Sequence, residues 1–167
     1  MPFATFAKLL PISHVLLDLD VSSKKRLFEQ IGLLFENENK ISRAAVFDAL
    51  FAREKLGSTG LGHGVAIPHG RIKSLRDTLA VFIRTKDGVP FESPDGEAVR
   101  LVFAILVPEH ATEQHLNLLS ELAQVFSDAT LRQALLDEPD QSRAHDMLIY
   151  GSTLGSSDAA AQRTAAV

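Results

Sequence analysis

The chain has 167 residues, enough for one domain with a core of its own, and its 46% hydrophobic and 23% charged residues are ordinary for a globular protein. A net charge of -4 disfavours a broad nucleic-acid-binding surface, and the absence of cysteine excludes disulfides, thiolate metal sites and thiol nucleophiles. The first ten residues predict no signal peptide, and the densest apolar run, 101–107, falls far short of the roughly 20 residues a membrane-spanning helix needs. A cytoplasmic protein with no nucleic-acid partner and no membrane insertion is expected.

In chain order, ATFAKLL (4–10) predicts a short helix stopped by Pro11, and HVLLDLD (14–20) a strand or an extended lead-in. A helix follows, capped by Ser22 or Ser23, with Leu27, Ile31, Leu34 and Phe35 at helical spacing. A second helix starts at Ser42, buries Val46, Leu50 and Phe51, and has Gly57 where a C-terminal cap belongs. After a glycine-rich loop, VAIPH (65–69) is β-prone and TLAVFIRT (78–85) reads as a strand. Asp-Gly pairs at 87–88 and 95–96 predict turns. Residues 99–108 are nearly all apolar, as expected of a central strand buried on both faces. An amphipathic helix is predicted over 111–126, with Leu116, Leu119, Leu122 and Phe126 on one face. A shorter helix is capped by Asp128, and a last one covers 140–150. From Gly151 the chain is small and polar and predicts a flexible tail, so the domain spans 1–150 and the tail 151–167. Helices, then four or five strands, then helices predict an α/β fold: a mixed, roughly five-stranded sheet sandwiched between helices.

The stretch REKLGSTGLGHGVAIPHGR (53–71) stands apart, with five of the ten glycines and two of the six histidines. It is not a P-loop, because the four-residue gap from Gly57 to Gly62 is followed by His63-Gly64 and not directly by Lys and Ser or Thr. It is not a dinucleotide fingerprint either, since His63 or Val65 stands where the last glycine belongs. The polarity is reversed as well: a helix precedes the loop and a strand follows, so no helix N-terminus faces a phosphate. What remains is a loop whose peptide N–H groups can bind an anion, with Gly57 opening it and the hydroxyls of Ser58 and Thr59 beside it.

Arg53 lies in the last turn of the preceding helix. It suits either phosphate recognition or the capping of the helix's final carbonyls. His69 follows Pro68, which stiffens the approach, and precedes Gly70, which removes bulk. A neutral imidazole there can attack a phosphoryl group, or it can be an ordinary turn histidine. His115 has Leu119 at i+4 and Leu122 at i+7, so it reads either as a core histidine or as a second imidazole beside His69. His63, His69 and His115 together also admit a three-histidine metal site, although Gly62 and Gly64 argue against the extended run it needs.

The pattern RE-x-x-GSTG-x-G-x-GVAIPH resembles the active-site signature of the IIA domains of the fructose–mannitol class in the bacterial phosphoenolpyruvate-dependent phosphotransferase system. The likeness extends over about residues 5–150 and is strongest toward the nitrogen-regulatory branch of that class. It implies a mixed five-stranded sheet between helices, with no metal or organic cofactor. It implies that His69 is phosphorylated, that Arg53 and His115 line its pocket, and that Gly57, Ser58 and Thr59 form the phosphate-side loop. The implied donor is an HPr-like phosphocarrier protein charged by an enzyme I homologue. The implied outputs are regulated target proteins, including potassium-transport and sensor-kinase systems, bound according to phosphorylation state. The expected acceptor atom is Nε2, the exposed tip of the ring. The alternatives are a sugar-uptake IIA domain that passes phosphate to a IIB cysteine, and a metal-dependent hydrolase using His63, His69 and His115.

Overall fold

The apolar run ending at Pro108 forms the middle of a twisted sheet, and every other element takes its place from it. The computed structural model describes residues 8–111 and 113–150, the side chains of 114–116 excepted. The predicted tail lies outside the described residues, as does most of the predicted helix at 4–10, of which Lys8 and Leu9 are helical. In chain order the described residues form a 3-10 turn (Ile12–His14), β1 (Val15–Leu19), α1 (Lys24–Asn39), α2 (Arg43–Glu54), β2 (Gly60–Gly62), β3 (Val65–Ala66), β4 (His69–Ile72), β5 (Leu79–Val89) and β6 (Val99–Pro108). Then come α3 (Glu113–Val125), α4 (Ala129–Asp137) and α5 (Gln141–Ile149).

The sheet is mixed. β6 pairs antiparallel with β5, and β5 pairs parallel with β1. On its other side β6 pairs parallel with β3 and then with β4, and β2 closes antiparallel on β3. Among the described residues this makes six strands rather than about five, because 60–72 contributes three short ones.

Alternation along the two long strands builds two cores. Ala80 and Phe82 of β5 join Leu101, Phe103, Ile105 and Val107 of β6 under α3, α4 and α5. Val81 and Ile83 join Val102, Ala104 and Leu106 under α1 and α2. Each fully buried large side chain of these sets contributes about 1.5–3 kcal/mol relative to exposure.

Three caps fall where predicted: Ser23 accepts from the Arg26 N–H, Ser42 from Ala45 and Asp128 from Thr130; Asp140, which was not singled out, caps the last helix by accepting from Arg143. One expectation fails and another holds in part. Asp87-Gly88 is not a turn; β5 runs through it to Val89, which pairs with Val99, and a bulge after Arg84 absorbs the irregularity. Pairing with β6 overrides the local turn signal there, whereas Asp95-Gly96 does turn, with Gly96 N–H donating to Ser93 O at 2.9 Å. The buried stripe of α3 also differs in part: Leu122 and Phe126 are buried as predicted, but Leu118 and Val125 are buried with them and Leu119 is only partly covered. Among the described residues, no helix is long and apolar enough to cross a membrane.

Candidate functional site

β3 and β4 lie along β6 in a single register, Val65 opposite Leu101 and His69 opposite Ile105. They are one line of chain interrupted at Ile67-Pro68. Proline has no N–H for the ladder, yet its carbonyl still accepts from Ile105 N at 2.9 Å, so the chain stays in place. His69 is thereby the first residue of an edge strand that is anchored on both sides of the break.

The interruption exposes the Ile67 carbonyl to the ring. His69 Nδ1 lies 2.9 Å from Ile67 O, and because a carbonyl can only accept, Nδ1 carries the proton. Nε2 then presents its lone pair, and Arg53 Nε donates to it at 3.2 Å. His69 as a whole is 9% exposed. Burial holds its pKa below the usual histidine value, and the positive charges of Arg53 and Arg71 add to that. The hydrogen bond to Ile67 and the Glu54 carboxylate act in the opposite direction.

Arg53 reaches the ring because α2 comes unusually close to β4. A Cβ at Gly70 would lie 2.9 Å from both the backbone carbon and the Cβ of Ala49, so only glycine allows this approach. Ala49 and Arg53 are one helical turn apart on the same face. Arg53 also donates from Nη1 to Gly57 O at 2.8 Å. Gly57 lies three residues beyond the end of α2, so this bond ties down the loop rather than capping the helix's final carbonyls.

The loop after α2 is fastened by Glu54, a buried carboxylate. Its Oε1 accepts from Thr59 Oγ1 at 2.7 Å, and its Oε2 accepts from Thr59 N and Lys24 Nζ, each at 3.0 Å. The Ser58 hydroxyl donates to Phe91 O and accepts from Gly60 N. The hydroxyls of Ser58 and Thr59 are therefore engaged with Phe91 and Glu54. The rest of the glycine-rich loop is a hairpin. His63 and Gly64 both have positive φ, 57° and 77°, and form the two-residue turn between β2 and β3. The chain reverses there, so His63 and His69 do not share the face of one extended run. Among the described residues, no group of three or more His, Asp or Glu is placed to hold a metal ion.

His69 opens into a cleft of about 570 Å³ lined by Arg53, Leu56, Arg71, Val107 and Leu119, among others. Most of this lining is apolar and the charges are guanidinium groups, an arrangement suited to a small anion at the mouth of a docking surface. His115 lies in the first turn of α3, four residues before Leu119. Glu54 and Arg71 were missed in the sequence. Arg71 was signalled by its position two residues after His69 on a β-prone segment, which puts both on one face. For Glu54 no local pattern distinguishes a buried carboxylate from a solvated one.

The fold is thus a mixed sheet between two helical layers, and its edge histidine faces an arginine at a cleft. The family model for the phosphoenolpyruvate-dependent sugar phosphotransferase system, EIIA 2, matches residues 8–150, and the chain belongs to that family. It is 38% identical over 135 residues to a nitrogen regulatory protein of Pseudomonas aeruginosa, covering 80% of this chain and 88% of that one. Its fold superposes with a TM-score of 0.82 on the crystal structure of the nitrogen regulatory protein IIA-Ntr from Neisseria meningitidis, at 51% identity over 86% of this chain and 99% of that one. The IIA mannitol protein of Escherichia coli, 22% identical with a TM-score of 0.70 over 83% of this chain and 97% of that one, shares the fold.

Proposed function

We propose that this chain is a regulatory phosphocarrier that accepts a phosphoryl group on Nε2 of His69. The observation that carries the reading is the tautomer: Nδ1–H is committed to Ile67 O, and Nε2 faces a guanidinium at a cleft. Transfer is an in-line displacement. The Nε2 lone pair forms the new P–N bond as the P–N bond of the donor phosphohistidine breaks, and the donor imidazole leaves with its electron pair. Nδ1 keeps its proton, and the Ile67 carbonyl stabilises the positive charge that the ring then shares. Arg53 gives up the lone pair and turns to the equatorial oxygens, where charge is densest. His115, from the first turn of α3, supplies a further hydrogen bond to those oxygens. Gly57, Ser58 and Thr59 hold the loop that positions Arg53. No metal or organic cofactor takes part.

The donor in this reading is an HPr-like protein charged by an enzyme I homologue, in the cytoplasm. The outputs are target proteins, potassium-transport and sensor-kinase systems among them, that distinguish the two charge states. The nitrogen-regulatory names and high coverage of the similar proteins favour this role over sugar uptake through a IIB cysteine. Incubation with phosphoenolpyruvate, enzyme I and the phosphocarrier is expected to give one acid-labile phosphohistidine, lost in His69→Ala. Label that persists in His69→Ala refutes the assignment.

A further inference from the structure

Arg71 stands two residues from His69 on the same face of β4 and lines the same cleft. Its Nη1 is bound to two main-chain carbonyls, Glu109 O at 2.7 Å and Ala111 O at 2.6 Å, in the segment that joins β6 to α3. The side chain is exposed, so it exchanges partners without unpacking the core. Both of its present partners are neutral. A phosphoryl group on His69 brings about two negative charges and three strong acceptor oxygens into the shared cleft. A bond from a guanidinium to such an oxygen has both partners charged rather than the donor alone, and a guanidinium can make two of them in parallel.

We propose that Arg71 is the relay by which the phosphorylation state reaches the surface: on phosphorylation of His69 its guanidinium leaves the carbonyls of Glu109 and Ala111 for the phosphoryl oxygens, and the entry to α3 is released. The proposal rests on the phosphocarrier reading of His69 and adds to it the mechanism of its output. A target protein that touches the β6–α3 junction would then meet two different surfaces, one clamped and one unclamped, in addition to a change of charge. The same exchange makes Arg71 a second cation on the phosphoryl group, beside Arg53 of the same cleft.

The test is carbonyl-carbon NMR on the full chain, phosphorylated with phosphoramidate as a chemical donor and monitored by phosphorus NMR. In the wild type, the Glu109 and Ala111 carbonyl resonances are expected to move upfield on phosphorylation, as each loses its hydrogen bond. In Arg71→Met they should stand upfield before phosphorylation and stay there after it. Arg71→Lys, which keeps the charge and guards against a folding failure in the methionine variant, should still show the movement. A labelled wild type with unmoved carbonyls overturns the relay and leaves the phosphocarrier reading standing. Carbonyls that move by the wild-type amount in phosphorylated Arg71→Met overturn it as well. A wild type that takes no label on His69 refutes the phosphocarrier reading, and the relay falls with it.

Discussion

Gly70→Ala tests whether the close approach of α2 positions Arg53. The added methyl would lie 2.9 Å from the backbone carbon and Cβ of Ala49 and 3.0 Å from its carbonyl oxygen. Carbon atoms pack at about 3.5 Å or more, so α2 must retreat by about 0.6 Å. Overpacking of this kind costs about 1–3 kcal/mol, to be read as a lower midpoint in chemical denaturation. The retreat also carries Arg53, one turn further along α2. Its Nε now donates to His69 at 3.2 Å, and an extension of about 0.6 Å takes that contact beyond hydrogen-bonding range. Misplacement of a positioning group by 1 Å costs on the order of a hundredfold in rate, so a roughly tenfold slower charging of His69 is expected. The assay is the initial rate of phosphohistidine formation from the phosphorylated donor protein, measured well below the unfolding midpoint. Adding Ala49→Gly should restore only part of the rate, because the backbone carbon and oxygen of residue 49 remain in the way. A destabilised Gly70→Ala that is charged at the wild-type rate would refute the claim that this contact positions Arg53.

Two further outcomes follow from the same site. The pKa of His69 is depressed in the folded chain, so its ring stays neutral to lower pH than a free histidine does. Charging should therefore persist through mild acid. The stability this group contributes is complete above the ordinary histidine pKa and is lost as pH falls through the depressed folded value. A proton-NMR titration of the ring should show a lowered midpoint, and Arg53→Ala should raise it while slowing transfer about a hundredfold. Glu54→Ala removes the acceptor for Lys24 and for both Thr59 donors. It should cost about 3 kcal/mol in denaturant unfolding and expose the Thr59 amide to hydrogen exchange, whereas an unchanged amide would show the loop is held by something else.

The layered fold was legible because α1 and α2 carry helical spacing and 99–108 is a nearly unbroken apolar run, whereas the stripe of α3 was read only in part. The strand at 99–108 alternates between two cores, and serine and aspartate caps mark the helix starts. Residues 60–72 were harder, since β2, β3 and β4 are two to four residues long and depend on pairing with β6 rather than on their own pattern. At the site, His69 and Arg53 stood out through their neighbours Pro68, Gly70 and Gly57. What could not be read was partner choice. The hydroxyls of Ser58 and Thr59 are held by Phe91 and Glu54, one supplied from 33 residues downstream and the other from the preceding helix. Arg71 is bonded to a segment 38 to 40 residues away. Such contacts exist only once the sheet has brought β4 beside β6.

The bond between Nδ1 of His69 and the carbonyl two residues earlier has a consequence for traffic in both directions. A carrier is loaded by one protein and unloaded by another, or by the first one running backwards. If the ring could choose its tautomer, a group loaded on one nitrogen would at times face a receiver built for the other. In the phosphocarrier reading, with Nδ1 committed to Ile67, loading and unloading share one atom and one line of approach, and the two partners need only agree on a single docking geometry.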